Sequence, residues 1–195
     1  MPNVQGPFGL RALRRMDGSA PNYATNAQQI AYNNSNKIAR GDLVRLLASG
    51  FIDILAPGTT APFGVFDGCE YYDPVQNKKT WSNAWLAPAG LPATTVVTCY
   101  IIGEDQHLVF EVQSGTVNPV GQGAVGNNIQ IAQQAAPTAA GLSTLYVDQS
   151  LINTTATLPL RVWGLGQKIG NDNTTVFNTI EVVLNGPQLS AALGV

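Results

Sequence analysis

Charge is scarce in this sequence: Asp, Glu, Lys and Arg make up 11% of its 195 residues, against about 25% in an average soluble domain. Asn, Gln, Ser and Thr must therefore supply much of the polar surface. Such a surface has weak electrostatic protection against association, and a net charge of −2 adds little. The chain reads as one that ends up packed against neighbours. The one histidine, His107, removes two-histidine metal sites and most zinc-ligand spacings. No Gly-x-Ser-x-Gly elbow accompanies it, so it is expected to be a solvated turn residue rather than a catalytic base. The two cysteines, Cys69 and Cys99, sit in apolar, strand-like contexts; in a reducing compartment they are expected to be free core thiols. No run approaches the roughly 20 apolar residues that span a bilayer. Met1-Pro2-Asn3-Val4-Gln5-Gly6-Pro7 lacks the basic start and apolar stretch of a signal peptide, so the expectation is synthesis in the cytosol and no membrane.

Amphipathic helices of three turns are missing as well, and short apolar runs separated by turn residues stand in their place. Leu43–Leu47 and Phe51–Leu55 flank Ser49-Gly50 as strand, turn, strand. Phe63–Tyr72 is β-rich, with glycines suited to a bulge, and Asp73-Pro74 ends it. In the pair 94–103 and 107–113, the apolar runs Val96–Ile102 and Leu108–Val112 are separated by Gly103-Glu104-Asp105-Gln106, a four-residue connection ahead of His107, and read as a hairpin. Further strands are expected over Leu142–Val147, Leu158–Leu165 and Val176–Leu184. Residues 115–141, rich in Gly, Ala, Asn and Gln, read as a loop-rich excursion with one short strand at Ile129 and Ile131 and at most a helical turn over Ala132–Ala136. Seven or eight such strands predict one mainly β domain of residues 37–185, a β-barrel or β-sandwich with little helix.

Residues 1–36, with Pro2, Pro7, Pro21 and many asparagines, read as an extended N-terminal arm and loops. The arm is basic. Six cations against two carboxylates give residues 1–45 a net charge of +4, while the rest of the chain carries −6. That asymmetry points to an arm seeking an acidic partner surface; nucleic acid is disfavoured, because phosphate binding needs a denser basic patch and the acidic body would be repelled. Candidate contact residues are Phe8, Leu10 and Leu13 as apolar anchors, with Arg11, Arg14 and Arg15 pairing with carboxylates. Residues 186–195 form a C-terminal tail.

Other motifs weigh less. Gly121-Gln122-Gly123-Ala124-Val125-Gly126 matches G-x-G-x-x-G, but Asn118-Pro119 precedes it and no helix-forming run follows, so neither a dinucleotide nor any other cofactor is expected. Asp67, Glu70 and Asp73 lack the spacing of a Ca²⁺ loop or a glycosidase pair and are expected to be solvated rim acids; no metal is expected. Trp81, Trp85 and Tyr71-Tyr72 form an aromatic-rich segment that suits a core, a subunit contact or a sugar-binding platform.

The sequence resembles the capsid decoration, or cement, proteins of tailed bacteriophages over nearly its whole length. The likeness runs through Pro7-Phe8-Gly9-Leu10-Arg11, Gly41-Asp42-Leu43-Val44, Phe63–Gly68 and Leu108–Gln113. It is most specific in the N-terminal motif and in Thr155-Ala156-Thr157-Leu158-Pro159-Leu160-Arg161-Val162-Trp163-Gly164-Leu165, and it ends with Ile180–Asn185. About ten residues beyond Asn185 depart from the pattern. The resemblance implies a non-enzymatic virion structural protein made in the host cytoplasm. It would lie on the exterior of an icosahedral shell, bind the major capsid protein and form homo-oligomers, often trimers at symmetry axes. Two other readings are a carbohydrate-binding β module using Trp81 and Trp85, and a low-copy head-to-tail or tail structural protein.

Overall fold

A computed structural model describes residues 2–21, 23–59, 61–103, 107–134, 137–138 and 140–188. Fourteen strands dominate them: β1 (Arg11–Arg15), β2 (Asn26–Ile30), β3 (Ile38–Ala39), β4 (Leu43–Leu46), β5 (Ile52–Ile54), β6 (Gly64–Asp73), β7 (Lys78–Ser82), β8 (Ala84–Trp85), β9 (Val97–Ile102), β10 (Leu108–Gln113), β11 (Asn128–Gln133), β12 (Tyr146–Asn153), β13 (Leu160–Leu165) and β14 (Thr179–Leu184). A 3₁₀ turn, Gln122–Ala124, lies between β10 and β11. The mainly β expectation holds, as a sandwich-like packing of antiparallel sheets without a closed barrel.

The first sheet runs β1-β10-β14-β13-β11-β12 and the second β2-β9-β6-β4-β5, with β7 added along β6. Side-chain alternation gives the second sheet two apolar faces. Leu43, Val65 and Ile102 point toward the first sheet and join Phe110, Val112, Ile180 and Val182 in one core. Their chain neighbours Val44, Phe66 and Ile101 point the other way, into a second core with Ile38, Cys69, Cys99 and Trp85. The small β3–β8 pair contributes Ile38 and Trp85 to that core. The second sheet also curls so that β2 approaches β5; the Asn34 and Asn36 amides close the gap by donating to Asp53 at 3.1 and 2.9 Å.

Two expectations are corrected. Residues 94–103 and 107–113 are strands but not a hairpin: β9 lies in the second sheet between β2 and β6, and β10 in the first between β1 and β14. Each takes a neighbour on either side, so the connection crosses between sheets; residues 104–106 lie outside the described residues. Nor is the leader a separate arm. It is extended, but β1 pairs with β10 and β2 with β9, so both belong to the body.

Smaller differences follow from weak local signals. The strand expected over Leu142–Val147 is shifted to Tyr146–Asn153, and that at Ile129 and Ile131 is β11. Of the possible turn over Ala132–Ala136, Ala132 and Gln133 belong to β11, while residues 135 and 136 lie outside the described residues. Of the tail, only residues 186–188 are described: the Gln188 amide donates to the Leu46 carbonyl (3.0 Å) and accepts from its N–H (2.6 Å), tying the chain to β4.

Candidate functional site: a groove beside the first strand

The leader is fastened to the body before β1 begins. The Asn3 amide donates to the carbonyls of Asp172 (2.7 Å) and Val176 (3.2 Å), and the Asp172 N–H returns a bond to it at 2.9 Å. Gln113 accepts from Gly6 N–H and donates to the Val4 carbonyl, both at 2.9 Å. Next the leader crosses the turn between β3 and β4. Gly9 and Gly41 both have positive φ (73° and 92°), and a Cβ on Gly9 would lie 2.5 Å from Ser143 Cβ and 2.6 Å from Gly41 O. Only glycine permits that approach, and it lets Leu10 N–H donate to Gly41 O at 2.8 Å. Behind this crossing sits Asp42, fully buried, whose carboxylate accepts from Ser143 Oγ and from Ala39 N–H. Burial pushes its pKa up to about 6, against the opposing pull of those two hydrogen bonds.

This crossing forms one end of a surface groove of about 770 Å³ at the seam between the sheets. Leu10, Val65, Phe66, Ile102 and Phe110, all buried, line its apolar floor, and Phe8, Ala12 and Leu13 its side. Tyr23 and Leu142, both exposed, stand on the rim, together with Arg40 and Asp67, an ion pair at 2.8 Å. The Arg11 guanidinium lies 4.9 Å above the Phe8 ring, a cation–π contact. Beside the groove, β1 is the edge strand of its sheet, and no described strand pairs with its outer side. A bulge between Ala12 and Arg14 places Leu13 out of register with β10.

Four of the six candidate contact residues, Phe8, Leu10, Arg11 and Leu13, are thus brought together, but not all are available to a partner. Leu10 is 4% exposed and belongs to the molecule's own core, so it supports the groove floor rather than acting as an anchor. The arginines meet an acidic surface within this chain. Arg11 pairs with Glu111 and Arg14 with Glu181, two buried carboxylates of β10 and β14, and Lys168 adds a second cation to Glu111. Arg14 does not line the groove, and Arg15 N–H closes a turn onto Ser19 O. Tyr23, Arg40 and Leu142 escaped the sequence reading as site residues, and Asp67 was read only as a solvated rim acid: they come from four separated segments with no common motif.

The remaining motifs have structural partners. Asp67 pairs with Arg40, Glu70 with Lys79 at 2.7 Å, and Asp73 Oδ1 accepts from Val75 and Gln76 N–H, so these acids are not merely solvated. No cluster of three or more His, Cys, Asp or Glu suited to a metal occurs among the described residues. Gly121–Gly126 winds through the 3₁₀ turn Gln122–Ala124 with no described strand delivering it. His107 is exposed, and its carbonyl accepts from Met16 N–H. Cys69 and Cys99 are free and buried, paired across β6 and β9, and burial pushes both thiols up to about 12. Trp85 is corrected as a platform residue: it is fully buried, edge-on to Tyr71 at 5.7 Å, and its Nε1–H donates to Asn34 O at 3.1 Å. Trp81, by contrast, is 55% exposed.

No family model, curated protein or solved structure matches this chain. No helix among the described residues is long and apolar enough to cross a membrane.

Proposed function

We propose that this chain is a virion structural protein that binds the exterior of an icosahedral phage capsid and stabilises it by bridging subunits of the major capsid protein, catalysing nothing. The observation that carries the reading is the edge position of β1, with no described strand along its outer side, beside an apolar groove. An edge strand offers main-chain donors and acceptors, and an adjacent pocket accepts alternate side chains of an added strand; together they form a strand-addition site. The sequence likeness to decoration proteins supports it from another side, since its N-terminal motif, residues 7–11, builds part of the groove wall.

In this mechanism an extended segment of the capsid protein adds alongside β1 and seats apolar side chains against Phe8, Leu13, Tyr23 and Leu142. The leader is already ordered by its contacts with Asp172, Gln113 and Glu111, so docking does not bear the roughly 1–2 kcal/mol per residue of ordering a free arm. Self-association into a homo-oligomer, with a trimer at a symmetry axis as the preferred form, multiplies weak single contacts into avidity. The sparse charge of the surface suits a molecule covered by neighbours.

Deleting the leader would also remove an edge strand, so the test uses surface substitutions. Leu13→Asp and Tyr23→Asp, checked for folding by circular dichroism, are added to particles lacking the protein, and occupancy is measured by gel densitometry. The expected result is hundreds of wild-type copies per particle and a severalfold loss for both variants. Wild-type occupancy by both would overturn the groove as the contact, and a handful of copies per particle would point instead to a head-to-tail component.

A further inference from the structure

A second face of the molecule carries a pattern that neither core nor groove uses. In the β6–β7–β9 ladders Glu70 lies opposite both Trp81 and Thr98, Tyr72 opposite Lys79, and Gly68 opposite Tyr100. Residues opposed in a ladder share a face, so these side chains line one side of the sheet, while Cys69, Val97 and Cys99 alternate into the second core. Trp81 is 55% and Tyr72 50% exposed. The Trp81 ring rests over Gly68, where a Cβ would come within 2.5 Å of the indole, and is tilted 43° against the Tyr100 ring at 5.2 Å between centroids. An exposed indole is thus held in one orientation by a glycine beneath it and a phenol beside it.

Glu70 completes the arrangement. Its carboxylate takes the Lys79 ammonium at 2.7 Å and the Tyr100 hydroxyl, and these bonds, Lys79 first, hold it below the usual range for glutamate. A fixed acceptor and a fixed donor therefore stand next to the aromatic pair and open onto a groove of about 500 Å³, lined among others by Tyr72, Pro92, Thr95 and Thr98.

We infer that this face is a binding site for a neutral glycan, with Trp81 and Tyr100 as the stacking platform and Glu70 and Lys79 as hydroxyl-binding groups. A sugar ring presents one apolar C–H face and a rim of hydroxyls, which matches an open aromatic surface bordered by a carboxylate and an ammonium. The Glu70–Lys79 pair is neutral in sum and selects for neither acidic nor basic ligands. The centre of a protein interface is depleted of charged residues, whereas here the Glu70–Lys79 ion pair borders the aromatic pair and the groove walls are rich in threonine. The site binds rather than cleaves: hydrolysis needs a second carboxylate across the scissile bond, and Asp73 is turned into the β6–β7 turn while Asp67 is paired with Arg40. It shares no lining residue with the β1 groove, so the inference stands independently of the capsid reading.

The test is titration of the full chain with gluco-, galacto- and manno-oligosaccharides, with sialylated and sulfated oligosaccharides as charged controls, followed by tryptophan fluorescence and calorimetry. One or more neutral oligosaccharides are expected to bind with dissociation constants in the micromolar to millimolar range and to shift the emission. Trp81→Ala is expected to weaken that binding by about tenfold or more, a loss consistent with one buried aromatic contact. Trp81→Phe retains most of it, and Glu70→Gln weakens it without unfolding. Absence of binding by every neutral oligosaccharide at about 10 mM, preference for the charged controls, or binding indifferent to Trp81→Ala would each overturn the inference. So would loss of particle occupancy by Trp81→Ala in a protein that binds no glycan, since that identifies the face as a protein contact.

Discussion

Glu111 and Glu181 face each other directly across the β10–β14 ladder, both nearly fully buried. Two like charges in that relation repel, and removing either from water is costly. Two cations of the leader and one from the β13–β14 connection resolve the conflict: Arg11 and Lys168 meet Glu111, and Arg14 meets Glu181. The basic bias of the first 45 residues is thus partly the counter-charge of the acidic body, folded back onto it.

Arg11 and Lys168 share one carboxylate, so their effects are expected to be non-additive. Arg11→Ala or Lys168→Ala alone should destabilise by about 0.5–1 kcal/mol, because both cations are partly exposed and the other still compensates. The double variant should lose about 3 kcal/mol, more than the sum, as Glu111 is left buried and unpaired. Urea denaturation of the four proteins checks this, and strict additivity would sink it.

Asp42 gives stability a pH dependence opposite in sign to that of an ordinary paired carboxylate. Its folded pKa is raised from 3.8 to about 6, so between about pH 4 and pH 6 the folded state holds a proton that the unfolded chain has released. Stability from this group is full below pH 4 and is lost as pH rises through 6, by about 3 kcal/mol. Asp42→Asn removes the titration. Its melting temperature relative to wild type should therefore improve between pH 4.5 and pH 7.5, and a constant difference would refute the assignment.

What the sequence revealed follows from where each strand sits. Central strands such as Leu108-Val109-Phe110-Glu111-Val112 are buried on both faces and mostly apolar, and announce themselves. Edge strands β1 (Arg-Ala-Leu-Arg-Arg), β2 (Asn-Ala-Gln-Gln-Ile) and β7 (Lys-Lys-Thr-Trp-Ser) bury little, and their pairing is largely main-chain hydrogen bonding, which composition does not encode. The false hairpin has a related cause: sequence separation shows that two strands are close in the chain, not that they share a sheet. At the candidate site, Phe8, Leu10, Arg11 and Leu13 were legible because they lie in one segment. Trp81 and Trp85 were indistinguishable in sequence; only the pairing of β7 with β6 and of β8 with β3 exposes one ring and buries the other.

The crossing of the leader over the β3–β4 turn is expected to be intolerant of a single methyl group. Gly9→Ala would force a Cβ to within 2.5 Å of Ser143 Cβ, at a backbone φ of 73°. Strain at a left-handed position costs about 1–3 kcal/mol, and the clash adds to it. Gly18, also at positive φ (84°) but with nothing near its Cβ, is the control that carries the backbone strain alone. Gly9→Ala should lower the melting temperature markedly more than Gly18→Ala; equal effects would mean that the close approach contributes nothing.

Cys69 and Cys99 should report opening of the second core. Both are fully buried with pKa values near 12, and the thiolate is the reactive form, so neither accessible nor ionised sulfur is present in the native state at pH 8. A thiol reagent in excess should therefore modify the folded protein only through transient unfolding of β6 and β9, at a rate that becomes independent of reagent concentration when opening limits. The variant Val97→Ala, which trims the same core beside Cys99, should destabilise the domain by about 1–3 kcal/mol and accelerate modification. Stoichiometric labelling within seconds under native conditions would contradict the burial on which the prediction rests.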